Sequence, residues 1–575
     1  MRSSRASPWV LVVSLLMGCA ASRPSATPPA VETRPAAARP ADAAAYLHTT
    51  LAHLHAQAGR LGDAVAELRK ALARDDQVPG LWILLARWLS RQEAHAEAVD
   101  AANKALALDP TSVPAYFTLA ELYHAQKKHA DAVAALEQII RLTPSGPEAY
   151  ETLARYHAER KDYAEARVAL ERLLAVQPQH PRAHYLLGRL AVEREAWDEG
   201  IRFLRRAVEL DPDQDAAWAA LGAAYEQQKR EAEAVEVYRQ AVAANPDNLT
   251  LRQRLGELLI RLGRYQDAVA EYEALTEQLP SDPRVWMTLG AVQYERKAYD
   301  RAIEAFRRVL TLDPSNLRAR FYLSSTYLDA GREGEALEEL NQVLRADPKS
   351  IDARLQLGFL HTRAKRHEDA IRVLTEAVNL DPKRADLFLH LGMAYYRGTQ
   401  YDRAVRVYEE GLGLDDKNKD LHFQLGVVFE KTGKFDRAVA QFRRVIGLDP
   451  KHAEAYNYVG YMFAERGVNL QEAEQLIRKA LELEPDNGYY IDSLGWAFYQ
   501  QGRYDEALRE LSRAVELTRG KEDPVIYDHL GDAYLKTGNE VEALRAWEKS
   551  LELDPSNETV KQKVERVRQR REGRR

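Results

Sequence analysis

Cysteine is almost absent from this 575-residue chain, which contains Cys19 and no other. An intramolecular disulfide needs two cysteines, so the fold has to be stable through packing alone. The sequence also lacks H-E-x-x-H, C-x-x-C, G-x-S-x-G and G-x-x-x-x-G-K-[ST], motifs of zinc, thiol, acyl-transfer and phosphate chemistry. We therefore predict no catalytic residue, no metal site, no cofactor and no small-molecule substrate, and hence a protein that is not an enzyme.

Positive charge does not exceed negative charge in this sequence. The chain has 81 Lys and Arg against 87 Asp and Glu, which gives a formal net charge of −6. Proteins that bind nucleic acid present a basic surface to the phosphates. The charge balance therefore predicts no nucleic-acid partner, and most charged side chains are expected on solvated helix faces.

A 34-residue repeat occupies most of the chain, and residues 283–316 show one copy clearly. Read with a helical period, this stretch gives two amphipathic helices joined at residues 297–300, and proline ends the second helix because it cannot continue one. The residues predicted to pack within the unit are Trp286, Leu289 and Gly290 in the first helix, and Ala302, Phe306 and Pro314 in and after the second.

The repeat can be counted fifteen times, from residues 45–78 through 524–557, and its helix-ending proline recurs every 34 residues from Pro110 to Pro382. The unit resembles the tetratricopeptide repeat, whose pattern is W-x2-L-G-x2-Y, later A-x3-F, and later P. The resemblance implies an all-α fold over residues 45–557, a right-handed superhelical solenoid of about 15 helix-turn-helix repeats.

In tetratricopeptide proteins the first helix of each unit lines a concave groove, through places two, five, six, nine, twelve and thirteen. Aromatic residues are enriched at these places after residue 290, with basic residues among them, and such rings suit an extended peptide or a partner helix. The alternative is that many rings pack against the adjacent first helix. The predicted partner-binding residues are Phe321, Tyr322, Phe359, Tyr396, Phe423, Tyr458, Tyr461, Trp496 and Tyr499, with Arg363 and Arg397.

The first 18 residues read as an export signal. Their apolar run, Trp9 to Met17, is shorter than the 20 or so residues that span a bilayer. Leu16-Met17-Gly18-Cys19 resembles the lipobox of bacterial lipoproteins, which implies that Cys19 is lipidated and becomes the new N-terminus. An ordinary cleaved signal is the alternative. Ala20 after the cysteine is similar to lipoproteins sorted to the outer membrane, so we expect a lipid anchor there, facing the periplasm.

Residues 19–44 follow as a segment rich in proline and alanine. Such a composition cannot bury a core, and it predicts an extended, semi-rigid tether between the lipid anchor and the repeats. An unstructured remnant fits the same composition, and in both interpretations the segment is a spacer.

The repeat register shifts at two joints, residues 465–471 and 519–523. An insertion in a joint re-aims the following hairpin, and it is either tolerated variation or a means of shaping a partner surface. After residue 557 the basic segment 558–575 carries a narrow stripe of three valines, which predicts a polar capping helix. The alternative is a basic arm for anionic lipid or cell-wall polymer.

The C-terminal part resembles bacterial outer-membrane tetratricopeptide lipoproteins, through the segments 456–461, 467–473, 492–496 and 528–534. Some members of that group bring a periplasmic carboxyl-terminal processing protease to its substrates. The resemblance implies an adaptor for envelope proteins or peptides. The alternative is an assembly factor for type IV pili or for exopolysaccharide export.

Overall fold

The structure, a computed structural model, describes residues 43–572, and these contain 31 α-helices and no strand. The predicted signal 1–18, Cys19, the tether up to residue 42 and the last three residues of the tail lie outside the described part. The helices fall into two compact units, one ending at Gln228 and the other beginning at Lys229. We call odd-numbered helices up to α29 first helices and even-numbered ones second helices.

The first unit contains α1 (Ala43–Gln57), α2 (Leu61–Arg74), α3 (Pro79–Arg91), α4 (His95–Leu108), α5 (Val113–Ala125), α6 (His129–Leu142), α7 (Pro147–Glu159), α8 (Tyr163–Val176), α9 (Pro181–Glu193), α10 (Trp197–Leu210) and α11 (Asp215–Gln227). From α1 to α10 each first helix pairs with the second helix that follows it, and each second helix contacts the next first helix. The first unit is therefore a stack of helix hairpins.

The second unit is built in the same way. It contains α12 (Glu231–Ala244), α13 (Leu249–Arg261), α14 (Tyr265–Gln278), α15 (Pro283–Glu295), α16 (Tyr299–Leu312), α17 (Leu317–Asp329), α18 (Glu333–Ala346), α19 (Ile351–Arg363), α20 (His367–Leu380), α21 (Ala385–Arg397), α22 (Tyr401–Leu414), α23 (Lys419–Lys431), α24 (Phe435–Leu448), α25 (Ala453–Arg466), α26 (Leu470–Leu483), α27 (Gly488–Gln500), α28 (Tyr504–Leu517), α29 (Pro524–Lys536), α30 (Glu540–Leu553) and α31 (Glu558–Glu572).

Local chemistry sets the ends of these helices. The Asp282 side chain accepts a hydrogen bond from the Arg284 backbone N–H at the start of α15, and Asn316 caps α17 by accepting from the Ala319 N–H at 3.0 Å. Between α15 and α16 the backbone of Lys297 has φ +60°, which lets the chain reverse in three residues. Because α16 already begins at Tyr299, the joint is shorter than the predicted 297–300.

The hairpins close through a fixed contact between a small residue and a larger one. A Cβ added to Gly290 of α15 would lie 2.7 Å from Phe306 of α16, whose ring is fully buried. Leu289 and Ala302 are buried beside this contact. Trp286 is half-buried and donates its indole N–H to the Pro280 carbonyl at 3.1 Å, whereas Pro314 is exposed after the helix end. The glycine therefore lets the aromatic ring reach the backbone of the first helix.

The same contact between a small residue of the first helix and a larger residue of the second recurs in other hairpins. In the second unit five aromatics at this place of the second helix lie against a glycine of their own hairpin, in the pairs Gly256–Tyr272, Gly290–Phe306, Gly392–Tyr408, Gly426–Phe442 and Gly531–Trp547. In the first unit alanine stands at the glycine place where the opposing residue is smaller, as in Ala52 with Leu68, Ala120 with Leu136 and Ala154 with Leu170. Leucine also stands opposite glycine, as in Gly188 with Leu204 and Gly358 with Leu374. Leucine is therefore found opposite either alanine or glycine, whereas the five aromatic rings lie against glycine.

Helix α31 covers the last hairpin. Its three valines, Val560, Val564 and Val567, are buried against Leu544 and Trp547 of α30. Lys563 lies between the carboxylates of α29, and the remaining residues of α31 are mostly charged or polar. The helix therefore covers the apolar side of α30 and presents a polar surface outward.

The two shifted joints differ from the others in backbone geometry. In the joint 465–471, α25 runs one residue further than the first helices before it, and both Gly467 and Asn469 have left-handed backbone angles. After this joint α27 packs extensively on α25 and buries ten of its thirteen residues. In the joint 519–523, Gly520 has φ +86° and Asp523 caps α29. The first insertion thus accompanies a more deeply buried first helix.

Candidate functional site

Helix α19 shows how a first helix of the second unit keeps one face free of its own hairpin. The buried residues of α19 are Ala353, Leu357, Gly358, Leu360 and His361, which are places three, seven, eight, ten and eleven of the unit. Among the other places, two, five, six, nine, twelve and thirteen lie together on another side of the helix, because they follow the three-to-four-residue spacing of one face. We call this side the free face.

The structure separates the sequence-predicted residues by exposure. Phe359 is 56 % exposed, and Arg363 and Arg397 are exposed. Six of the predicted rings are half-buried: Phe321, Tyr322, Tyr396, Tyr458, Tyr461 and Tyr499. Phe423 and Trp496 are buried. The predicted set is therefore spread over several kinds of environment.

Phe423 and Trp496 correct the predicted partner-binding set, since neither offers a free ring. Phe423 packs edge-on against Phe442 at 5.4 Å and against Tyr458 at 5.5 Å. Trp496 is stacked between other side chains and donates its indole N–H to Glu465 at 3.0 Å. For these two residues the packing alternative is correct, because rings from neighbouring hairpins cover them.

Half-buried rings at place six are also committed to packing on one side. Tyr322 stacks on Phe306 of the preceding hairpin with a centroid distance of 5.8 Å, and Tyr458 stacks on Phe442 at 4.7 Å. In both cases the ring behind belongs to the second helix of the unit before. These tyrosines are held rigidly and have one face and an edge left for other contacts.

An apolar stripe crosses the free faces of α19, α21 and α23, and the sequence-based prediction named only one of its members. Places five and nine of these helices carry apolar residues, of which Phe423 is buried. The other five form the surface that we call the apolar floor: Leu355, Phe359, Leu389, Met393 and Val427. All five are exposed or half-buried. The predicted set contained aromatic rings and arginines but none of the aliphatic residues, although their recurrence at places five and nine is visible in the repeat.

Charged residues border the apolar floor on both sides. Place two carries an acidic edge and place thirteen a basic edge; the acidic edge is Asp352, Asp386 and Asp420, and the basic edge is Arg363, Arg397 and Lys431. Only the two arginines of the basic edge and Phe359 of the floor belonged to the predicted set. The acidic edge was not predicted, although its recurrence at place two is visible in the sequence.

Most of these edge charges are available. Arg363 lies 3.3 Å from Glu333, and Asp386 lies 2.6 Å from Arg384, whose hydrogen bond lowers the pKa of the Asp386 carboxyl. Within residues 43–572 the other four edge side chains form no ion pair. An apolar surface between unpaired charges of opposite sign is suited to a protein segment rather than to a small molecule.

A cleft lies on the free faces of α13, α15 and α17. It has a volume of about 650 Å³ and is lined by Ile260, Met287, Arg284, Arg318 and Tyr322, among others. Arg318 lies over the Tyr322 ring at 5.5 Å, and Arg284 pairs with Asp282 at 2.7 Å. The cations of this cleft lie at place two, where the apolar floor is bordered by acids.

The first unit has a different free face. Where the apolar floor carries aliphatic and aromatic residues, α7 carries Glu151 and Arg155, and α9 carries Tyr185 and Arg189. Glu151 pairs with Arg182 at 3.0 Å, and a cleft of about 730 Å³ is lined by these charged residues. An exposed apolar stripe of the kind seen on α19 to α23 is not found at these places of the first unit.

At its C-terminal end the second unit has a chain of polar contacts between successive first helices. Glu465 accepts from Trp496, Asp492 faces His529 with Nδ1–Oδ1 of 3.0 Å, and Lys563 donates to Asp528 and Asp532 at 2.6 and 2.7 Å. These contacts join α25 to α27, α27 to α29, and α29 to α31. We call them the C-terminal polar chain.

The buried member of this chain is the pair of Asp492 and His529, with side chains that are 8 % and 7 % exposed. Burial alone would lower the pKa of His529, but the Asp492 carboxylate, together with Asp528 and Glu465, outweighs it and raises the pKa above its usual value. The ring also stacks on Trp496 at 4.0 Å, which favours its charged form. We interpret the pair as a structural clamp between α27 and α29.

Neither a metal centre nor a membrane-spanning helix is found in the described range. Within residues 43–572 no group of three or more His, Cys, Asp or Glu side chains is arranged to hold a metal ion. No helix in this range is long and apolar enough to cross a membrane. The lipid-anchor prediction rests on Cys19, which lies outside the described residues.

Family models named "Tetratricopeptide repeat" match nearly the whole repeat region. One of them matches residues 89–156, 157–225, 226–292, 293–358 and 327–391, which together cover more than half of the chain. Others match residues 49–113, 387–420, 423–488 and 524–557, and a model named "TPR repeat" matches 495–538. The all-α solenoid of helix hairpins predicted from the sequence is thereby confirmed.

Similarity to individual proteins is weaker. A curated protein of Pseudomonas aeruginosa, "TPR repeat-containing protein PA4667", is 42 % identical over 53 residues, which span 9 % of this chain and 9 % of that protein. Among solved structures, the APC/C hetero-tetramer Cut9–Hcn1 covers 79 % of this chain and 96 % of its own at 16 % identity and a TM-score of 0.38. Naa15/Naa10 bound to HypK-THB covers 91 % and 96 % at 14 % identity and a TM-score of 0.33. Neither structural similarity adds to what the helices themselves show.

Proposed function

This chain belongs to the tetratricopeptide repeat family, whose solenoids are scaffolds for protein–protein interaction, and we propose that it holds its partners at the bacterial cell envelope. The observation that carries the proposal is the apolar floor with its two charged edges on α19, α21 and α23. It is an apolar surface left open on the side of the solenoid that the hairpins do not use for their own packing.

The proposed anchor is a lipid on Cys19, supported by the Leu16-Met17-Gly18-Cys19 sequence and the preceding apolar run. The proline-rich segment after it would hold the repeats away from the outer membrane, on its periplasmic side, by up to roughly 75 Å at about 3.1 Å per residue. Fixing a scaffold at the membrane raises the effective concentration of any two partners that it binds.

We further propose that one of these partners is a periplasmic carboxyl-terminal processing protease, which the scaffold brings to its substrates. The support is the resemblance of residues 456–461, 467–473, 492–496 and 528–534 to adaptors of that kind. In this mechanism the scaffold does no chemistry. It acts by proximity, with the free face of the second unit holding one partner while another surface holds the second.

Replacing Cys19 with alanine tests the anchor. We expect the wild-type protein in the outer-membrane fraction, labelled by a palmitate analogue, and the Cys19→Ala protein either unlabelled in the soluble fraction or retained as an uncleaved precursor. Ala20→Ser is the matched control, since it leaves the acceptor sulfur in place and should remain labelled. Mature, unlabelled Cys19→Ala protein that still partitions with the outer membrane would show that the lipid on Cys19 is not the anchor.

Capture of partners from envelope extract tests the adaptor. We expect a carboxyl-terminal processing protease to copurify with the full chain, and to be lost when Phe359→Asp and Met393→Asp place charge on the apolar floor. Val168→Asp is the control, because Val168 is an exposed apolar residue of a second helix in the first unit. Capture of pilus or polysaccharide-export proteins in place of the protease would contradict the adaptor role, but the scaffold function would still stand.

A further inference from the structure

Three successive first helices repeat one order of side chains along their free faces. In α19, α21 and α23 an acid stands at place two, apolar residues at places five and nine, and a base at place thirteen. The helices run in the same direction, since each is followed by a second helix that returns, and neighbouring first helices contact one another. Equal places therefore form rows across the helices, with the apolar floor between the acidic edge and the basic edge.

Helix stability does not explain this order. An acid in the first turn and a base in the last turn do favour a helix through its dipole. In the two first helices that precede them, however, the signs are reversed. Helix α15 carries Arg284 at place two and Glu295 at place thirteen, and α17 carries Arg318 and Asp329 at the same places. The edge charges thus change sign between α17 and α19, which the dipole would not require.

The spacing of the rows indicates the shape of the occupant. Packed helices lie about 8–10 Å apart, so each first helix adds about that length to the surface. An α-helix lying across them advances about 10.5 Å in seven residues, which brings one heptad over each first helix. An extended strand would advance about three residues over the same length, and because its side chains alternate, successive anchors would point to opposite sides.

We infer that the apolar floor and its edges bind an amphipathic α-helix of a protein partner, about three heptads long. The apolar stripe of this helix lies on the floor, its basic flank faces Asp352, Asp386 and Asp420, and its acidic flank faces Arg363, Arg397 and Lys431. The inference rests on the proposed scaffold function and specifies the partner class of that same surface. Turning a helix end for end exchanges its flanks, so the two edges also determine the direction in which the partner lies.

Designed peptides test this inference on the full chain. The probe is a helical peptide of about 21 residues with leucines in one stripe, lysines along one flank and glutamates along the other. The comparison peptide has the same composition and stripe but mixes lysine and glutamate on both flanks. We expect the patterned peptide to bind at least about tenfold more tightly, because only its charges complement both edges. Equal affinity of the two peptides would overturn the inference.

Charge reversal on the protein locates the binding. The double variant Arg397→Glu with Lys431→Glu is expected to bind the patterned peptide about tenfold or more weakly than the wild type. The control is Arg301→Glu with Arg372→Glu, which makes the same change in net charge on exposed residues of second helices and is expected to change affinity by less than about twofold. Loss of affinity in both variants to the same extent would mean non-specific attraction and would overturn the inference.

The direction of the bound helix is a separate measurement. A photo-crosslinker at the peptide N-terminus should label either α19 or α23, and a peptide with exchanged flanks should label the other of the two. Labelling of the same helix by both peptides would contradict the role of the edges. If no peptide binds while envelope partners are still captured through the apolar floor, the helical partner class is wrong and the scaffold function stands.

Discussion

Replacing Asp492 with asparagine is expected to lower the free energy of unfolding of the C-terminal hairpins by about 3–5 kcal/mol near pH 5.5, because the His529 charge is then buried without a partner. In the wild type, the pKa of His529 is raised above 6.5 in the folded state. The stability that the pair contributes is therefore fully present below about pH 6.5 and is lost as the pH rises through the folded pKa. The Asp492→Asn penalty should shrink accordingly near pH 9.

The reciprocal change tests the same titrating group. His529→Gln removes the imidazole whose raised pKa gives the pair its pH dependence, so we expect this variant to lack the decline in stability that the wild type shows as the pH rises through the folded pKa of His529. Amide hydrogen exchange of α27 and α29 is the suitable measurement, because repeat arrays open locally. Glu558→Gln, in an exposed pair with Lys561, is the control and should leave the pH profile unchanged. If Asp492→Asn lowers the free energy of unfolding by the same amount at both pH values, His529 is not charged in the folded protein.

Replacing Gly426 with alanine is expected to lower the free energy of unfolding by about 1–3 kcal/mol, because the added Cβ overpacks the hairpin. The new Cβ would lie 2.8 Å from Phe442, within the range that real Cβ atoms do not show. Phe442 cannot swing away, since it is fully buried and its ring is held by Phe423 and by Tyr458, stacked at 4.7 Å. Thermal unfolding and hydrogen exchange of α23 and α24 would report the loss.

Gly447 is the matched control, because it lies in α24 of the same hairpin and a Cβ there meets nothing within 4 Å. Gly447→Ala should raise stability by about 0.5–1 kcal/mol, since alanine has less backbone entropy to lose than glycine. The double variant Gly426→Ala with Phe442→Leu should be more stable than the sum of its single changes. Additive effects would mean that the ring and the glycine do not share the same space.

The rescue expected for Phe442→Leu comes from the repeat itself. Alanine at the glycine place is already accommodated opposite leucine in the first unit, as with Ala154 and Leu170. The sequence alone contains this correlation between the two places. What the structure adds is the reason, which is that the ring of the second helix lies directly on the backbone of the first.

Helix positions and the repeat unit were predictable, because a 34-residue period, capping residues and prolines act within a few residues of one another. The exposure of the rings on the free faces could not be predicted from the sequence. Phe423 and Trp496 occupy the same kind of place as Phe359, yet the first two are buried and Phe359 is 56 % exposed. The difference arises from neighbours such as Phe442, Tyr458 and His529, which belong to other helices.

The sequence by itself determined the family, the unit length, the ends of the helices and the small residues at which the two helices of a unit approach each other. Only the tertiary structure decided which free-face side chains remain available, how the joint 465–471 leads into the buried helix α27, and that acids and bases of separate repeats stand in two rows. The physical reason is that local structure depends on contacts within one unit. Burial and the alignment of charges depend on side chains from neighbouring units, which are brought together only by the stacking of the hairpins.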